Sequence, residues 1–211
     1  MTSKEMLDAV RAQMKQAGEV AWSRYPLPTD FPCFRTAPVA AQNLLQQFDG
    51  PWLVMRDPCL RAMREAVLQS GHELVIPERA SVELIRIPVN ALRCPQDGRS
   101  PVLRIEAAIP GSSVYRGPVQ AVVVSCHAFD PLRRRVYGLD TCRTEYLLGE
   151  LRGGLQDGWT LPAHVPVMVM ASDAQQVQGW GDEGSAHEAD FIVTSTRLIA
   201  LGTGDTERFD G

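Results

Sequence analysis

The chain has 211 residues, 45% of them hydrophobic and 22% charged, enough to bury a sizeable core in one large domain or two small ones. Its net charge of −4 argues against a general nucleic-acid or membrane-surface binder, so any anion has to be held by a local cluster. Five cysteines without a C-x-x-C pair lack zinc-ribbon spacing and read as free thiols of a reducing compartment.

The first twenty residues mix Lys, Asp and Glu and contain no apolar signal-peptide core. Thr2 and Glu5 have the spacing of a capping box, and Met6, Val10 and Met14 recur on one helix face. The loop SRYPLPTDFPCF follows, rich in proline and aromatics, where Phe31 and Phe34 can wall a flat heterocycle or simply belong to the core. Thr36 then caps a second helix that buries Ala40, Leu44 and Phe48. PWLVMR reads as a strand. Asp57-Pro58 opens a helix lined by Leu60, Met63 and Val67, and Gly71 stops it.

HELVIPE, VELIRIPV and VLRIEAAI are short β-like runs, with RCPQDGRSP between the last two. VQAVVVS is the most apolar strand, its continuity implying burial on both faces as in a parallel sheet. Thr144 to Leu151 reads as a helix closed by Gly153-Gly154. VPVMVMAS and DFIVTSTRLIAL are two further strands, and the tail GTGDTERFDG is polar and frayed. No apolar run approaches a membrane span. Strand and helix alternate, without an internal repeat or a long linker. The expected architecture is a single α/β domain over residues 1–211, a three-layer sandwich of a mostly parallel sheet with helices on both faces. The expected compartment is the cytoplasm.

Several motifs carry chemistry. GWGDEG fits G-x-G-x-x-G by letter, but no strand directly precedes it and a strand follows, so it reads as a turn-rich loop; no Walker-type sequence occurs. Cys126-His127 with Asp130 invites a hydrolase reading, but side chains of adjacent extended residues point to opposite faces. Arg133, Arg134 and Arg135 follow the strand VVV and are either a solvated turn or an anion site at a strand's carboxyl end, with Arg143 adding to the same field. Asp173 and Gln175 follow VPVMVMAS directly; they can bind a ligand hydroxyl or a metal-bound water, or cap a turn. Glu145-Tyr146 begins a helix, where Glu suits the dipole without any function.

The segments FPCFRTAPVAAQNL, GHELVIPE, VQAVVVSCHAFDPLRRRV, TEYLL, VPVMVMASDAQQV and ADFIVTSTRLI occur in that order across about residues 10–200. In this order and spacing the chain resembles the 5-formyltetrahydrofolate cyclo-ligase (methenyltetrahydrofolate synthetase) family, most of all its divergent cyclo-ligase-like branch. The resemblance implies an α/β sandwich. It also implies ATP- and magnesium-dependent closure of a formyl-folate: the formyl oxygen is phosphorylated and then displaced by the neighbouring nitrogen, a reaction that needs cations and N–H groups around the γ-phosphate.

Residue by residue, the resemblance implies Arg135, Glu145 and Tyr146 as catalytic. Arg35, Arg134, Gly138 and Gln175 are implied for nucleotide or folate, and Asp130 and Asp173 for magnesium. Asp190 matches the Asp of V-D-x-I-x-T. The family's loop R-L-G-x-G-x-G-x-Y-D stands here as Arg135 followed by Val-Tyr-Gly-Leu-Asp-Thr-Cys-Arg, with one glycine, Gly138. The family's lysine four residues before Arg11 is Leu7, with Lys4 one turn earlier. The aspartate of its I-D-L-V strand is Gln120, and the proline ending that strand is Ser125. The expected partner is a small molecule, a reduced folate or a related amide, with ATP and Mg²⁺; no nucleic acid or membrane is expected. The alternative is a non-catalytic descendant that binds a folate, a nucleotide or a protein.

Overall fold

The computed structural model describes residues 3–20, 34–78, 82–89, 105, 113–138, 143–155, 157–179, 189–201 and 206–208. Helix α1 (Ser3–Gln16) buries Met6, Val10 and Met14 as the periodicity requires. Thr2 of the expected capping box lies outside the described residues, as do most of SRYPLPTDFPCF, all but Ile105 of VLRIEAAI, and GWGDEG beyond Gly179.

Helix α2 (Ala37–Leu45) buries Ala40 and Leu44. Its start is held differently from the expected threonine cap. The Thr36 hydroxyl makes no cap bond. It donates instead to the carboxylate of Glu19 at 3.0 and 3.1 Å, which also accepts the Thr36 N–H at 3.1 Å. Strand β1 (Trp52–Val54) is fully buried, and Asp57 then caps a 3-10 turn by accepting the Cys59 N–H at 2.8 Å. Helix α3 (Arg61–Gln69) follows, and the chain leaves it through Gly71 in the left-handed region at φ 82°.

Strands β2 (Leu74–Pro77) and β3 (Leu84–Ile87) pair antiparallel. β4 (Ala121–Ser125) has its alanine and three valines buried on both faces. A separate antiparallel hairpin, β5 (Ala128–Asp130) and β6 (Arg135–Tyr137), comes next, then α4 (Arg143–Gly153) and β7 (Val167–Met170).

DFIVTSTRLIAL, expected as one strand, is a hairpin of β8 (Phe191–Val193) and β9 (Arg197–Ala200). The Thr194 hydroxyl accepts the N–H groups of Thr196 and Arg197, both at 3.2 Å, which folds the hydroxyl-rich centre into a turn. The tail expected to fray contributes β10 (Thr206–Arg208), because the open edge of β9 offers it a ladder.

Among the described residues the sheet has eight strands, in the order β10-β9-β8-β7-β4-β1-β2-β3. Its centre, β2-β1-β4-β7-β8, is parallel and both flanks are antiparallel. The crossover from β1 to β2 and the one from β4 to β7 run in opposite directions. Right-handed connections therefore set α3 and α4 on opposite faces, in agreement with the expected three-layer α/β sandwich. Among the described residues no helix is long and apolar enough to cross a membrane.

Candidate functional site at the carboxyl edge of the sheet

Chain order reverses between β1 and β4, because β1 leads to β2 on one side and β4 to β7 on the other. Ligands of open α/β sheets bind outside the carboxyl ends of strands at such a reversal. Asp57 and Ser125 stand there. The Ser125 hydroxyl donates to Asp57 Oδ2, while Oδ1 is held by the Cys59 N–H. Arg64, buried on α3, braces the same corner by donating from Nη1 to the carbonyls of Met55 at 2.6 Å and Asp57 at 2.9 Å. In the sequence, Asp57 carries only the signal of a helix cap. The one signal for more was Ser125 in place of the family's proline, since a hydroxyl can donate and proline cannot.

A second cluster lies at the ends of β7 and β8. Asp173 Oδ1 accepts from the Thr194 hydroxyl and from Arg197 Nε, both at 3.0 Å, and Oδ2 from the Thr196 hydroxyl at 2.9 Å. Asn43 of α2 donates to the Ser195 carbonyl at 3.0 Å and ties this turn to the helix layer. Ser172 and Gln175 form a reciprocal capping box around the 3-10 turn Asp173–Gln175.

Gln175 faces inward, 1% exposed. Its Oε1 accepts the Ser172 N–H at 2.7 Å, and its Nε2 donates to the carbonyls of Cys126 at 2.6 Å and His127 at 3.3 Å. This amide fastens the end of β7 to the end of β4; its donors and acceptor are spent on backbone rather than presented to a ligand.

Asp130 is likewise fully buried. Its Oδ1 accepts the N–H groups of Leu132 at 3.0 Å and Arg133 at 3.2 Å, and its Oδ2 that of Gly179 at 3.1 Å. Its carboxylate shapes the hairpin turn and pins it to the segment after β7. The three arginines, expected in a loop directly beyond β4, occupy this hairpin instead: Arg133 and Arg134 in the turn, and Arg135 opposite Asp130 in β6. Gly138 has φ 57°, and a Cβ there would fall 2.2 Å from His127 Nδ1, so the chain closes over the imidazole only with glycine. Arg35 and Tyr146 are exposed and line neither of the cavities described next. Glu145 is in α4, its side chain outside the described residues. Asp190 lies at the opposite edge, accepting the Val167 N–H at 2.7 Å where β7 begins.

An open groove of about 750 Å³ runs between α1 and the segment after β7, lined by Ala9, Gln13, Ala17, Asp173, Gln176 and Gln178 among others. A smaller cavity of about 300 Å³ adjoins it across Gln176 and Gln178, which line both. Arg134 and Arg197 line the smaller one. Among the described residues no group of three or more His, Cys, Asp or Glu is gathered to hold a metal. A magnesium ion fits one or two carboxylates when a phosphate supplies the other oxygens; Asp173 is the carboxylate in the groove wall, and a metal there would share its oxygens with Thr194, Thr196 and Arg197.

Cys126 is buried, and burial pushes its thiol pKa well up, with the nearby charge of Asp57 adding to the shift. The thiolate needed by a hydrolase is therefore not populated near neutral pH. Peptide mapping after brief iodoacetamide treatment at pH 8 is expected to find Cys126 unmodified in the native protein and modified in urea. Rapid native alkylation would restore the nucleophile reading.

No family model matches the chain, and no curated protein does. Among solved structures, 5,10-methenyltetrahydrofolate synthetase of Aquifex aeolicus, determined by NMR, matches with a TM-score of 0.57 and 15% identity, over 99% of this chain and 97% of that one. The chain thus has, over nearly its whole length, the fold of a 5,10-methenyltetrahydrofolate synthetase.

Proposed function

We propose that the protein is a divergent cyclo-ligase-type enzyme that uses ATP and Mg²⁺ to close a formyl-folate or a related amide-type substrate. The observation that carries this reading is the groove between α1 and the segment that leaves the carboxyl end of β7, in a fold shared with a 5,10-methenyltetrahydrofolate synthetase. Its lining suits such a substrate. Ala9 and Ala17 leave room for a flat ring to approach α1, and Gln13, Gln16, Gln176 and Gln178 offer amide donors and acceptors for a pterin-like edge.

In this reading Asp173 holds magnesium, whose role is to spread the charge of the transferred phosphoryl group. Arg134, at the rim of the smaller cavity, supplies a cation to the same group. Arg135, Glu145 and Tyr146 keep the catalytic roles that the resemblance implies, and Arg35, Gly138 and Gln175 keep theirs in shaping the nucleotide and folate sites. Gln175 does so through the backbone it holds. Chemically, the formyl oxygen takes the γ-phosphoryl group as its bond to ADP breaks. The neighbouring nitrogen then attacks the formyl carbon, and phosphate leaves with that oxygen.

The test is thermal unfolding with Mg-ATP, with 5-formyltetrahydrofolate, and with both, followed by a turnover assay. A ligand at about 100 times its Kd contributes about 2.7 kcal/mol. For a chain of this size that raises Tm by roughly 5–11 °C. The expected result is a shift with Mg-ATP, enlarged by the folate, and phosphate release that requires both. A shift with folate alone and no turnover would make the protein a binding descendant. No shift with either would overturn the reading.

A further inference from the structure

Helix α2 holds both walls of the groove. One wall is the end of α1, where Gln13, Gln16 and Ala17 line it, and the other carries Asp173. The chain leaves α1 through Gly18, left-handed at φ 68°, and Glu19 follows with its N–H on the Met14 carbonyl at 2.8 Å. Glu19 is then fastened to the start of α2. Its carbonyl accepts the Arg35 N–H at 2.6 Å, and its carboxylate accepts both the N–H and the hydroxyl of Thr36. The end of α1 and the start of α2 therefore move together.

Asn43 makes the second tie, near the other end of α2. It is half-buried, and its Nδ2 donates to the carbonyls of Ser195 at 3.0 Å and Thr194 at 3.4 Å. A side-chain amide has two N–H hydrogens, so one asparagine can clamp two successive carbonyls. Those carbonyls belong to the turn whose Thr194 and Thr196 hydroxyls, with Arg197 Nε, hold the Asp173 carboxylate. From Thr36 to Asn43 the helix spans about 10 Å. It buries Ala37, Ala40, Ala41 and Leu44 along one face, and a close-packed helix shifts as a body rather than bending.

We propose that α2 is a strut that sets the width of the groove, with Glu19 and Asn43 as positioning residues at its two ends. Asn43 acts on a ligand through the turn 194–196 and Asp173; Glu19 acts through the end of α1. A rigid element tied by hydrogen bonds to two sites carries a displacement from one to the other. A ligand that presses on the α1 wall therefore re-aims Asp173, and loosening either tie weakens what the groove holds. The inference rests on the groove as the binding site, and not on the ligand being ATP or a folate.

Amide hydrogen exchange of the full chain at pH 7, without ligand, tests it. The N–H groups of Thr196 and Arg197, both bonded to the Thr194 hydroxyl, report on the turn. In Asn43→Ala they should exchange at least tenfold faster, while β2 and β3, at the far edge of the sheet, keep their natural rates. Asn43→Asp keeps the size of the side chain and removes its donor, so it should match Asn43→Ala. Glu19→Ala should also speed exchange at Thr196 and Arg197, threefold or more, through α2. A turn unchanged in Asn43→Asp, a Glu19→Ala effect confined to residues 34–36, or equal acceleration in β2 and β3 overturns the proposal. Calorimetric titration with Mg-ATP and with 5-formyltetrahydrofolate should show affinities at least threefold weaker in the Asn43 variants; unchanged affinity for a probe that the natural chain binds also overturns it. Binding of neither probe would overturn the cyclo-ligase reading alone, and the exchange result would still decide the strut.

Discussion

Truncating Trp52 to alanine is expected to cost about 3–5 kcal/mol, the range for removing a large aromatic side chain from a core. The indole is fully buried in β1, between Leu74 of β2 and Ala121 of β4 in register. The Phe48 ring meets it edge-on with centroids 5.9 Å apart. Gly50 is so close that a Cβ there would fall 2.6 Å from indole Cδ1. Surroundings of that density cannot collapse fully onto an alanine. Urea unfolding should show the loss as a lower midpoint at nearly constant slope. Trp52→Phe, which keeps an aromatic ring in the space, should lose markedly less. A loss below about 1 kcal/mol for the alanine variant would mean that β1 is not the packed centre that positions Asp57.

Replacing Gln175 by alanine should cost about 2–4 kcal/mol although the volume removed is modest. The change leaves the Ser172 N–H and the Cys126 carbonyl buried without their partner, and each orphaned group costs roughly 1–3 kcal/mol. Gln175→Glu adds a sign that can be checked. In place of Nε2, a carboxylate oxygen would face two carbonyl oxygens, so the folded state favours the protonated acid and raises its pKa. A group with a raised folded pKa contributes its stability at low pH. The variant should thus approach the natural chain in relative stability below about pH 4 and lose ground as pH rises above about 4.3 toward neutrality. A pH-independent difference between the two would mean that the side chain is not held as described. Because Gln175 joins the ends of β4 and β7, both variants should also weaken whatever the groove binds.

The periodic elements were legible because their signals are local. Met6, Val10 and Met14 mark α1, and the continuous valines of β4 mark a strand covered on both faces. Asp57-Pro58 marks a helix entry that the Cys59 N–H confirms. Local polarity misleads at two places in this chain. Thr194 to Thr196 sit inside an apolar run and looked like strand, yet their hydroxyls close a turn. Residues 206–208 looked unstructured, yet they pair with an edge that is distant in sequence.

Of the candidate site, Asp173 was visible from its place after an apolar strand. Its partners Thr194, Thr196 and Arg197, 21 to 24 residues away, were not. Arg134 was visible as one of a run of three cations, but nothing in that run distinguishes the one whose backbone is left-handed and which borders a cavity. Asp130 and Gln175 illustrate the reverse case. Both were visible in the sequence as polar residues beside apolar strands, but not that each is buried and held by the N–H and C=O groups around it.

By itself the sequence determined the α/β alternation, the buried parallel strands and the order of segments that resembles a folate cyclo-ligase, because hydrophobic period and turn chemistry act over a few residues. The tertiary structure decided which side chains meet. Sheet order brings Asp57 to Ser125, Gln175 to Cys126 and Asp173 to Arg197, across 68, 49 and 24 positions of chain. Contacts of that separation follow from strand neighbours and crossovers, which no local pattern encodes.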